Sequence, residues 1–431
     1  MHNIANFLRF NINNVLIYIS VFFAFWGTKF FSINASILHI SFYRIMLIVF
    51  LILVAQEELR NKQYYKNPRY HKASAIIFFK LWLIYAFISL LWVPDLTSAA
   101  RAIFFIIEAM LIVCVLTIHV KNIDIFYKLL QIFMICMFIH SLIGWSEIIT
   151  GNYRYFPADE QRSLLIYTQL RLPVSSFHNV NDFATMMYLG FFAASIVFSL
   201  AIQRYMRYFC IICMLNFYAI IIISRSRGAI FSFVIAMIVY LLLQKKILTI
   251  AKLLFFALVA IIILLFVLNS YMEFNIMELM DSVFTFNSEQ GSDEIRINLI
   301  KNGLIFLGKT LGLGTGAGNF EYYMENFKRF DTGKITNMHN FWMEILVSYG
   351  IFIFIGFIAT LLRIFKHFYK LYKKREGYMR QISLLYIIFL VSFIVAAVSS
   401  SSLLGNDLVW IFLAIMIAFD CNIVCEKYRR P

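Results

Sequence analysis

The sequence predicts an all-α, polytopic integral membrane protein with about twelve membrane-spanning helices. The chain is 62% hydrophobic and 14% charged, whereas soluble domains carry about 25% charged residues. Apolar runs long enough to span a bilayer recur along the whole sequence. Lys and Arg cluster in alternate loops between these runs, as the positive-inside rule requires. The net charge of +15 therefore indicates topology and contact with anionic lipid rather than nucleic-acid binding.

Each predicted span is an apolar run bounded by polar or basic residues. The first run has no small-residue cleavage site and contains Lys29, so it is not expected to be a signal peptide. Lys80 is the only base expected to lie clearly inside the membrane. The spans are residues 13–32, 39–56, 75–93, 102–119, 126–148, 178–202, 208–223, 228–243, 249–270, 340–362, 381–399 and 405–424.

The basic loops fix a predicted orientation. The loops at 57–74 and 363–380 are rich in Lys and Arg, so they are expected to be cytoplasmic, together with both termini. Residues 1–431 then form a single membrane domain with two sizeable outer loops, 149–177 and 271–338. No cysteine falls in an outer loop, so no extracytoplasmic disulfide is expected.

The large loop before the tenth span is expected to be ordered. Residues 295–307 have the spacing of an amphipathic helix, and a glycine-rich turn follows at 312–318. Residues 303–310 match the phosphate-binding-loop pattern G-x-x-x-x-G-K-T. Their variable positions are apolar and helical, however, and the segment is predicted to lie outside, so the match is interpreted as coincidental.

The strongest candidate for chemistry lies where this loop meets the next span. His339 and Asn340 precede the helix, Glu344 lies about one turn inside the apolar run, and Gly350 follows. A free carboxylate at that depth is costly and therefore indicates function. A lone loop histidine is usually a surface residue, but with these neighbours His339 is a candidate general base. No histidine or cysteine pair has metal-ligand spacing.

Arginines at the predicted outer face are candidates for anion binding. Arg225 and Arg227 lie in the Ser-Arg-Ser-Arg-Gly turn between two spans, where the positive-inside rule disfavours them. They either contact lipid phosphates or clamp an anionic ligand through bidentate guanidinium forks. Arg296 alone would be interpreted as a salt-bridge partner of Glu294 or Asp293.

A polar run, residues 171–184, leads into the sixth span. Asn181 or Asp182 is expected to cap that helix. The alternative is that Asn181, with His178 and Arg171, contacts sugar hydroxyls.

Together these motifs resemble the O-antigen ligase and surface-polysaccharide polymerase superfamily of bacteria. The resemblance covers mainly residues 171–360 and rests on the order, spacing and sidedness of short motifs. The motifs are Asn179–Ala184, Ser226-Arg227-Gly228, Arg296 followed by the glycine-rich Leu311–Phe320, and His339-Asn340 with Glu344 and Gly350.

The resemblance implies a GT-C-like membrane glycosyltransferase that uses an oligosaccharide on undecaprenyl diphosphate and needs neither cofactor nor metal. Arg227 and Arg296, assisted by Arg225, would bind the diphosphate and stabilise the leaving group. His339 would deprotonate the acceptor hydroxyl, with inversion at the anomeric carbon. Asn340 and Glu344 would orient His339.

Three functions stay open. A polymerase of O-antigen, capsule or exopolysaccharide repeat units is favoured, and a ligase that transfers the glycan to lipid A-core is the alternative. A transporter or flippase is the rival from another class, which discontinuous helices and midplane charges would support. Implied partners are membrane lipids, the lipid-linked donor, a glycan or lipid A-core acceptor, a flippase and a chain-length regulator, in a bacterial inner membrane with the site extracytoplasmic.

Overall fold

The structure is a computed structural model. The predicted span at 249–270, most of the basic loop at 57–74, the first part of the large loop (271–291) and His178 lie outside the described residues. The structure describes residues 14–26, 32–35, 38–49, 52, 74–153, 155, 170–177, 179–244, 292–398, 400 and 403–423.

The described part of the chain is almost entirely helical, and the predicted fold class is confirmed. Within it, seven helices are long and apolar enough to cross a membrane. The elements are α1 Asn14–Ala24, β1 Ser32–Ala35, β2 Leu38–Ser41, α2 (42–49), α3 Ser74–Ile88, α4 Leu96–His119, α5 Ile123–Thr150, α6 Val180–Leu200, α7 Arg204–Ile223, α8 Arg227–Gln244, α9 Ser292–Lys309, α10 Phe320–Phe327, α11 Phe341–Lys374, α12 Gly377–Ala396 and α13 Asp407–Ala418.

The ends of the first two predicted spans are wrong. Ser32 and residues 39–41, which were predicted as helix, belong instead to an antiparallel hairpin, in which β1 pairs with β2 from Ser32 opposite Ser41 to Ala35 opposite Leu38. The sequence here alternates polar and apolar residues with a period of two, which favours a strand over a helix. Because long apolar runs flank the hairpin on both sides, the short alternating pattern was not recognised as a pair of strands.

The helices form a bundle with α6 near its centre. α6 packs against α5, α7 and α12, and α12 in turn contacts α8 and α11. On the other side, α3 and α13 pack on α4, and α11 packs on α3. Most of α6 is buried in protein rather than exposed to lipid. Its small residues at Gly190, Ala193 and Ala194 suit the close helix approach that membrane bundles use.

Four helices begin with an asparagine or aspartate cap at the same end of the bundle, whereas Asn122 caps α5 at the opposite end. Asp95 accepts hydrogen bonds from the backbone of Thr97 and Ser98 at the start of α4. Asn179, Asn340 and Asn406 cap α6, α11 and α13 in the same way. Because these helices alternate in direction with α5, α7 and α12, all four caps lie at one end, which is called here the capped end.

An ion pair lies inside the bundle, where sequence analysis identified no base except Lys80. Arg44 of α2 donates to both carboxylate oxygens of Glu108 in α4, at 2.7 and 3.2 Å. Its guanidinium also lies over the ring of Phe104, and half-buried Asp407 interacts electrostatically with Arg44 and Glu108. The two partners are separated by 64 residues, so hydropathy alone did not identify them.

Removing one member of this pair is expected to destabilise the protein. Glu108→Ala leaves a buried guanidinium without its bidentate partner and should lower the free energy of unfolding by about 3 kcal/mol. The double variant Arg44→Met/Glu108→Met should recover only part of that loss, since it removes the guanidinium together with Glu108 but leaves Asp407 without the Arg44 charge. Thermal unfolding in detergent measures both, with exposed Glu325→Ala as control. An E108A midpoint equal to that of the control would contradict the assignment.

Candidate active site

His339 is held between α9 and α11 at the capped end. Its neighbour Met338 is buried in a cluster with Leu299 of α9 and Val347 of α11. A Cβ on Gly303 would lie 3.0 Å from Met338 Cε and 3.0 Å from Val347 Cγ2, so glycine lets α9 approach closely. The apolar face of the amphipathic helix predicted at 295–307 therefore positions the segment that carries His339. The phosphate-loop pattern at 303–310 lies almost wholly within α9, so this segment has the helical conformation that was predicted for it and not that of a phosphate-binding loop.

The His339 backbone has an unusual conformation. Its φ is +46°, a left-handed geometry that costs most non-glycine residues about 1 kcal/mol or more. Arg171 and Arg225, two other predicted site residues, share it with φ of +49° and +55°. Strained backbone of this kind concentrates at functional sites. Three of the five non-glycine residues with positive φ in the described part are thus site candidates.

The electrostatic environment keeps the imidazole neutral. Burial, and secondarily the positive charge of Arg296, lower the pKa of His339 to about 4. Arg296 lies on α9 within electrostatic range of the ring, so the structure brings these two predicted residues together. His339 Nδ1 is buried and accepts no hydrogen bond from the described residues. At neutral pH the ring is thus unprotonated and able to accept a proton.

Asn340 and Glu344 fix the start of α11. The Asn340 side chain accepts from Trp342 N and Met343 N at 3.1 and 3.2 Å, and Glu344 N donates to Asn340 O at 2.8 Å. Phe341 N donates to Ala397 O at the end of α12, at 3.1 Å. Neither side chain forms a hydrogen bond to His339 Nδ1, so their predicted orienting role stays a prediction.

Gly350 breaks α11. With φ of +77° it interrupts the helix, and the glycine-rich turn at 312–318 fills the break. Thr315 N and Gly316 N donate to the carbonyls of Val347 and Ser348 at 2.8 and 3.0 Å, and Ile351 N donates to Gly312 O at 2.9 Å. A Cβ on Gly350 would lie 2.4 Å from Leu313 O.

The break explains the glycines and bears on the transporter alternative. Gly312, Gly314, Gly316 and Gly318 all have positive φ, so the turn needs the conformational freedom of glycine.

A discontinuous helix was the feature expected of a transporter. Here, however, the carbonyls freed by the break bond to the turn instead of lining an ion site. The turn is also tied to α3 and α4, through Ala317 N to Ser89 Oγ at 3.1 Å and Asn319 to the Asp95 backbone.

The arginine-containing turn between α7 and α8 lies at the same end of the bundle. Ser224 ends α7, Arg225 adopts a left-handed conformation, and Arg227 is the first residue of α8. Both arginines are half-buried. The Ser226 hydroxyl is buried and has no hydrogen-bond partner among the described residues. α8 packs against α12, whose end bonds to the start of α11, so the Arg225–Arg227 turn and His339 flank the same helix end.

The polar run before α6 has a different cap from the predicted one. Asn179, not Asn181 or Asp182, caps α6: its Oδ1 accepts from Asp182 N at 2.8 Å and its Nδ2 donates to Asp182 Oδ2 at 2.9 Å. The cap of α6 therefore lies one polar residue earlier in the sequence than predicted. Asn181 is therefore released from capping and is half-buried, while Arg171 is exposed. Their predicted sugar contacts stay predictions.

Sequence analysis missed the residue that holds this run in place. Glu147, near the end of α5, accepts from the backbone of Val174 and Ser175, both at 2.8 Å. Tyr153 OH donates to Leu172 O at 3.0 Å. The sequence did contain a signal for this role. A carboxylate near the end of a long apolar run indicates a buried group that needs hydrogen-bond donors nearby.

A cavity of about 350 Å³ opens beside Glu344, between α3, α4, α11 and the start of α13. Aromatic and polar side chains both line it, and they include Arg101 and Glu321, neither of which was identified from the sequence. The lining residues are Phe79, Trp82, Ser98, Arg101, Ala102, Phe105, Ile106, Ala109, Gly318, Glu321, Glu344, Ser348, Tyr349, Leu404, Gly405 and Trp410.

An apolar groove of about 370 Å³ runs along the surface of the bundle between α11 and α12. It begins at Trp342, three residues after His339, and extends to Phe365. Trp342 Nε1 donates to Ile394 O at 2.8 Å, which ties the two helices together at this end. Within the described residues, no group of three or more His, Cys, Asp or Glu side chains is arranged to hold a metal ion.

Comparisons with known proteins show similar sequences. Residues 209–358 match the family model described as O-Antigen ligase. The Teichuronic acid biosynthesis protein TuaE of Bacillus subtilis (strain 168) is 26% identical over 423 residues, which cover 96% of this chain and 86% of that protein. The family region includes Arg225, Arg227, Arg296 and His339, but it does not include the polar run before α6 or the residues of α3 and α4 that line the cavity.

Proposed function

We propose that this protein, an integral membrane protein of the O-antigen ligase family that serves polysaccharide biosynthesis, is a glycosyltransferase that polymerises lipid-linked repeat units. The observation that carries the proposal is the neutral, half-buried His339 beside Arg296, at the end of the bundle where the Arg225–Arg227 turn also opens. Displacement of a diphosphate from the anomeric carbon of a sugar requires a base for the attacking hydroxyl and positive charge to stabilise the leaving group. His339 and the arginines provide these two parts.

The arginines bind the donor diphosphate. Guanidinium forks match phosphate oxygens bidentately, and the N-terminus of α8 adds the positive end of a helix dipole. The buried Ser226 hydroxyl, which has no partner among the described residues, supplies one more donor. Arg296 on α9 contributes from the His339 side. Charge that develops on the leaving diphosphate is thereby stabilised in the transition state.

His339 removes the proton from the acceptor hydroxyl. The hydroxyl oxygen forms a bond to the anomeric carbon while the bond from that carbon to the phosphate oxygen breaks. The electron pair leaves with undecaprenyl diphosphate and the proton goes to the imidazole. A single direct displacement inverts the anomeric configuration and needs no metal. Donor binding strengthens the base, because the diphosphate offsets the Arg296 charge that lowers the pKa of His339.

The lipid part of the donor fits the apolar groove between α11 and α12. The groove starts at Trp342, close to His339, and its lining is almost wholly aliphatic and aromatic. A polyisoprenoid chain lying there would remain in contact with the bilayer while its diphosphate reached the arginines. This supports a membrane-anchored donor over a soluble nucleotide sugar.

The site is expected at the outer face of the bacterial cytoplasmic membrane, with both termini cytoplasmic. The basic loop at 363–380, which includes the far end of α11, supports this orientation through the positive-inside rule. The capped end carrying His339 then faces outwards, where flipped lipid-linked repeat units arrive. Partners would be a flippase that supplies the donor and a regulator of chain length.

Polymerase is preferred to ligase. The relative that matches along 96% of the chain is named for teichuronic acid biosynthesis, the synthesis of a polysaccharide, which supports chain growth over transfer to lipid A-core. The transporter alternative loses support because the carbonyls at the Gly350 helix break bond to the glycine-rich turn and Arg44 is paired with Glu108.

A deletion strain separates the two enzymatic functions. The polymerase predicts that polymer disappears while single repeat units are still made and attached to their acceptor. A ligase predicts instead that full-length polymer accumulates on the undecaprenyl carrier. Lipid extracts and surface glycans resolved by size give the readout, and complementation with the wild-type gene is the control. Accumulated carrier-linked polymer would contradict the polymerase assignment.

A further inference from the structure

We propose that the second half of α9, with the turn that follows it, inserts into the lipid leaflet at the capped end of the bundle. Leu304 and Leu311 would contact acyl chains, while Lys301 and Lys309 would contact the headgroup phosphates of anionic phospholipid. This membrane contact goes beyond the proposed function, since it would hold the large loop against the bilayer whatever reaction the site performs.

One face of α9 is exposed and partly apolar. The exposed positions 294, 297, 301, 304, 308 and 311 recur every three or four residues, as expected for a single helix face. Among them, Ile297, Leu304 and Leu311 are 52%, 50% and 91% exposed. A helix surrounded by water would carry polar side chains at these positions. A row of exposed apolar residues indicates instead that the face contacts another apolar partner.

The second half of α9 lies beside a part of α11 that faces lipid. A Cβ on Gly303 would contact Val347 Cγ2, whereas a Cβ on Gly312 would contact Ile351 Cδ1, each at 3.0 Å. The end of α9 is therefore further along α11 from the capped end than its middle is. α11 is long and apolar enough to cross the membrane, and its Ile351 and Phe352 are exposed. Exposed apolar side chains within such a span contact lipid.

α3 supports the same location for the turn after α9. Tyr85 OH donates to Leu313 O at 2.6 Å, and Trp92 Nε1 donates to Gly314 O at 3.1 Å. Leu313 and Ile88 of α3 are both exposed. The apolar exposed surface of α3 and α11 thus extends onto the end of α9. This continuity favours lipid over a second protein chain as the partner of the exposed face.

The charges along α9 match a lipid surface. Glu294 lies in its first turn, whereas exposed Lys301 and Lys309 lie in the half beside lipid. Each lysine Nζ also lies over an exposed phenyl ring, that of Phe330 at 5.0 Å and that of Phe327 at 5.9 Å. Lysines whose stems lie on apolar surface can extend their ammonium groups to headgroup phosphates. Anionic phospholipid is favoured because it adds negative charge at that level.

The contact would set the height of the candidate active site above the bilayer. An interfacial helix buries its apolar side chains about 5–10 Å into the boundary of headgroups and acyl chains. Arg296 lies eight residues before Leu304, which is at most about 12 Å along the helix axis. With Leu304 among acyl chains, Arg296 lies at the level of the headgroups. A diphosphate carried on a polyisoprenoid lies at the same level.

Photo-crosslinking in liposomes tests which partner covers the exposed face. The photoreactive residue p-benzoylphenylalanine replaces Leu304 or Leu311 in the full-length protein, and Glu294 as the matched control on the same face. The purified protein is reconstituted with equal amounts of phosphatidylglycerol and phosphatidylcholine and irradiated, and adducts are identified by mass spectrometry. Lipid adducts are expected at both leucines, with only background at Glu294. Crosslinks to a second copy of the chain, no adducts at the leucines, or equal lipid adducts at Glu294 would overturn the insertion.

The lysines are tested with the photoreactive residue at position 304. Phosphatidylglycerol adducts should exceed phosphatidylcholine adducts, and Lys301→Gln and Lys309→Gln should each lower that ratio roughly fivefold, the contribution of one lysine near an anionic surface. Lys334→Gln, an exposed lysine outside α9, is the matched control and should leave the ratio unchanged. An unchanged ratio in both α9 variants overturns the headgroup contact. These readouts need no catalysis, so a wild-type protein that transfers no sugar would refute the proposed function alone.

Discussion

Replacing His339 by asparagine or alanine is expected to slow glycosyl transfer by roughly 10²–10⁴-fold, the usual contribution of a general base. Asparagine is the sharper change, because it tolerates the left-handed backbone at φ +46° and removes only the base. Donor affinity and the thermal unfolding midpoint of H339N should match those of the wild type. The rate is measured with purified protein and lipid-linked donor.

The pH dependence provides an independent check on the same residue. Because burial and Arg296 lower the pKa of His339 to about 4, the base is lost only as the pH falls through about 4 in the free enzyme. The acid limb of kcat/KM should therefore lie well below the ordinary histidine pKa of about 6.5. The limb of kcat should lie higher, since bound diphosphate offsets Arg296. More than a tenth of wild-type activity in H339N would exclude this base.

Loss of either donor-binding arginine should have the next largest effect. Arg227→Ala and Arg296→Ala are each expected to lower kcat by roughly 10²-fold, as for removal of one donor to developing negative charge. Arg→Lys should restore only part of the rate, because a point charge lacks the bidentate fork. Polymer length on gels, at matched expression, gives the readout in cells.

Arg329→Ala and Arg329→Lys serve as controls for those variants, since Arg329 is exposed and is not among the charges that lower the pKa of His339. The roles of the two arginines can be separated further. Arg296→Gln should raise the pH of the acid limb of kcat/KM, because it removes the charge beside His339, whereas Arg227→Gln should not. Normal chain-length distributions in both alanine variants would contradict the diphosphate clamp.

Apolar runs predicted most of the described helices because a bilayer demands long stretches of hydrophobic residues. Amphipathic spacing likewise predicted α9, and the glycines at 312–318 predicted a tight turn. Hydropathy gave wrong helix ends at the hairpin of β1 and β2, where a local alternation of polar and apolar residues determines the structure. It also could not separate Asn179 from Asn181 as the cap of α6, since all these side chains are chemically suited to capping.

The site, like the fold, could be predicted from the sequence only in part. His339 and Arg296 could be predicted to act together from the resemblance, and the structure brings them within electrostatic range. Three other features could not be predicted, because each joins elements that are distant in sequence. They are the Arg44–Glu108 pair, the contact of the glycine-rich turn with the helix break at Gly350, and the cavity beside Trp82. No local signal states that a glycine turn will fill a break in a helix.

The most direct test of the central claim is a reaction with a single substrate. Purified wild-type protein in liposomes receives only the undecaprenyl-diphosphate repeat unit, with EDTA present, and products are resolved by length. A ladder of carrier-linked oligomers, with undecaprenyl diphosphate released and no ladder from H339N, is the predicted result. No elongation until lipid A-core is added, or a ladder that chelation abolishes, would contradict a metal-independent polymerase.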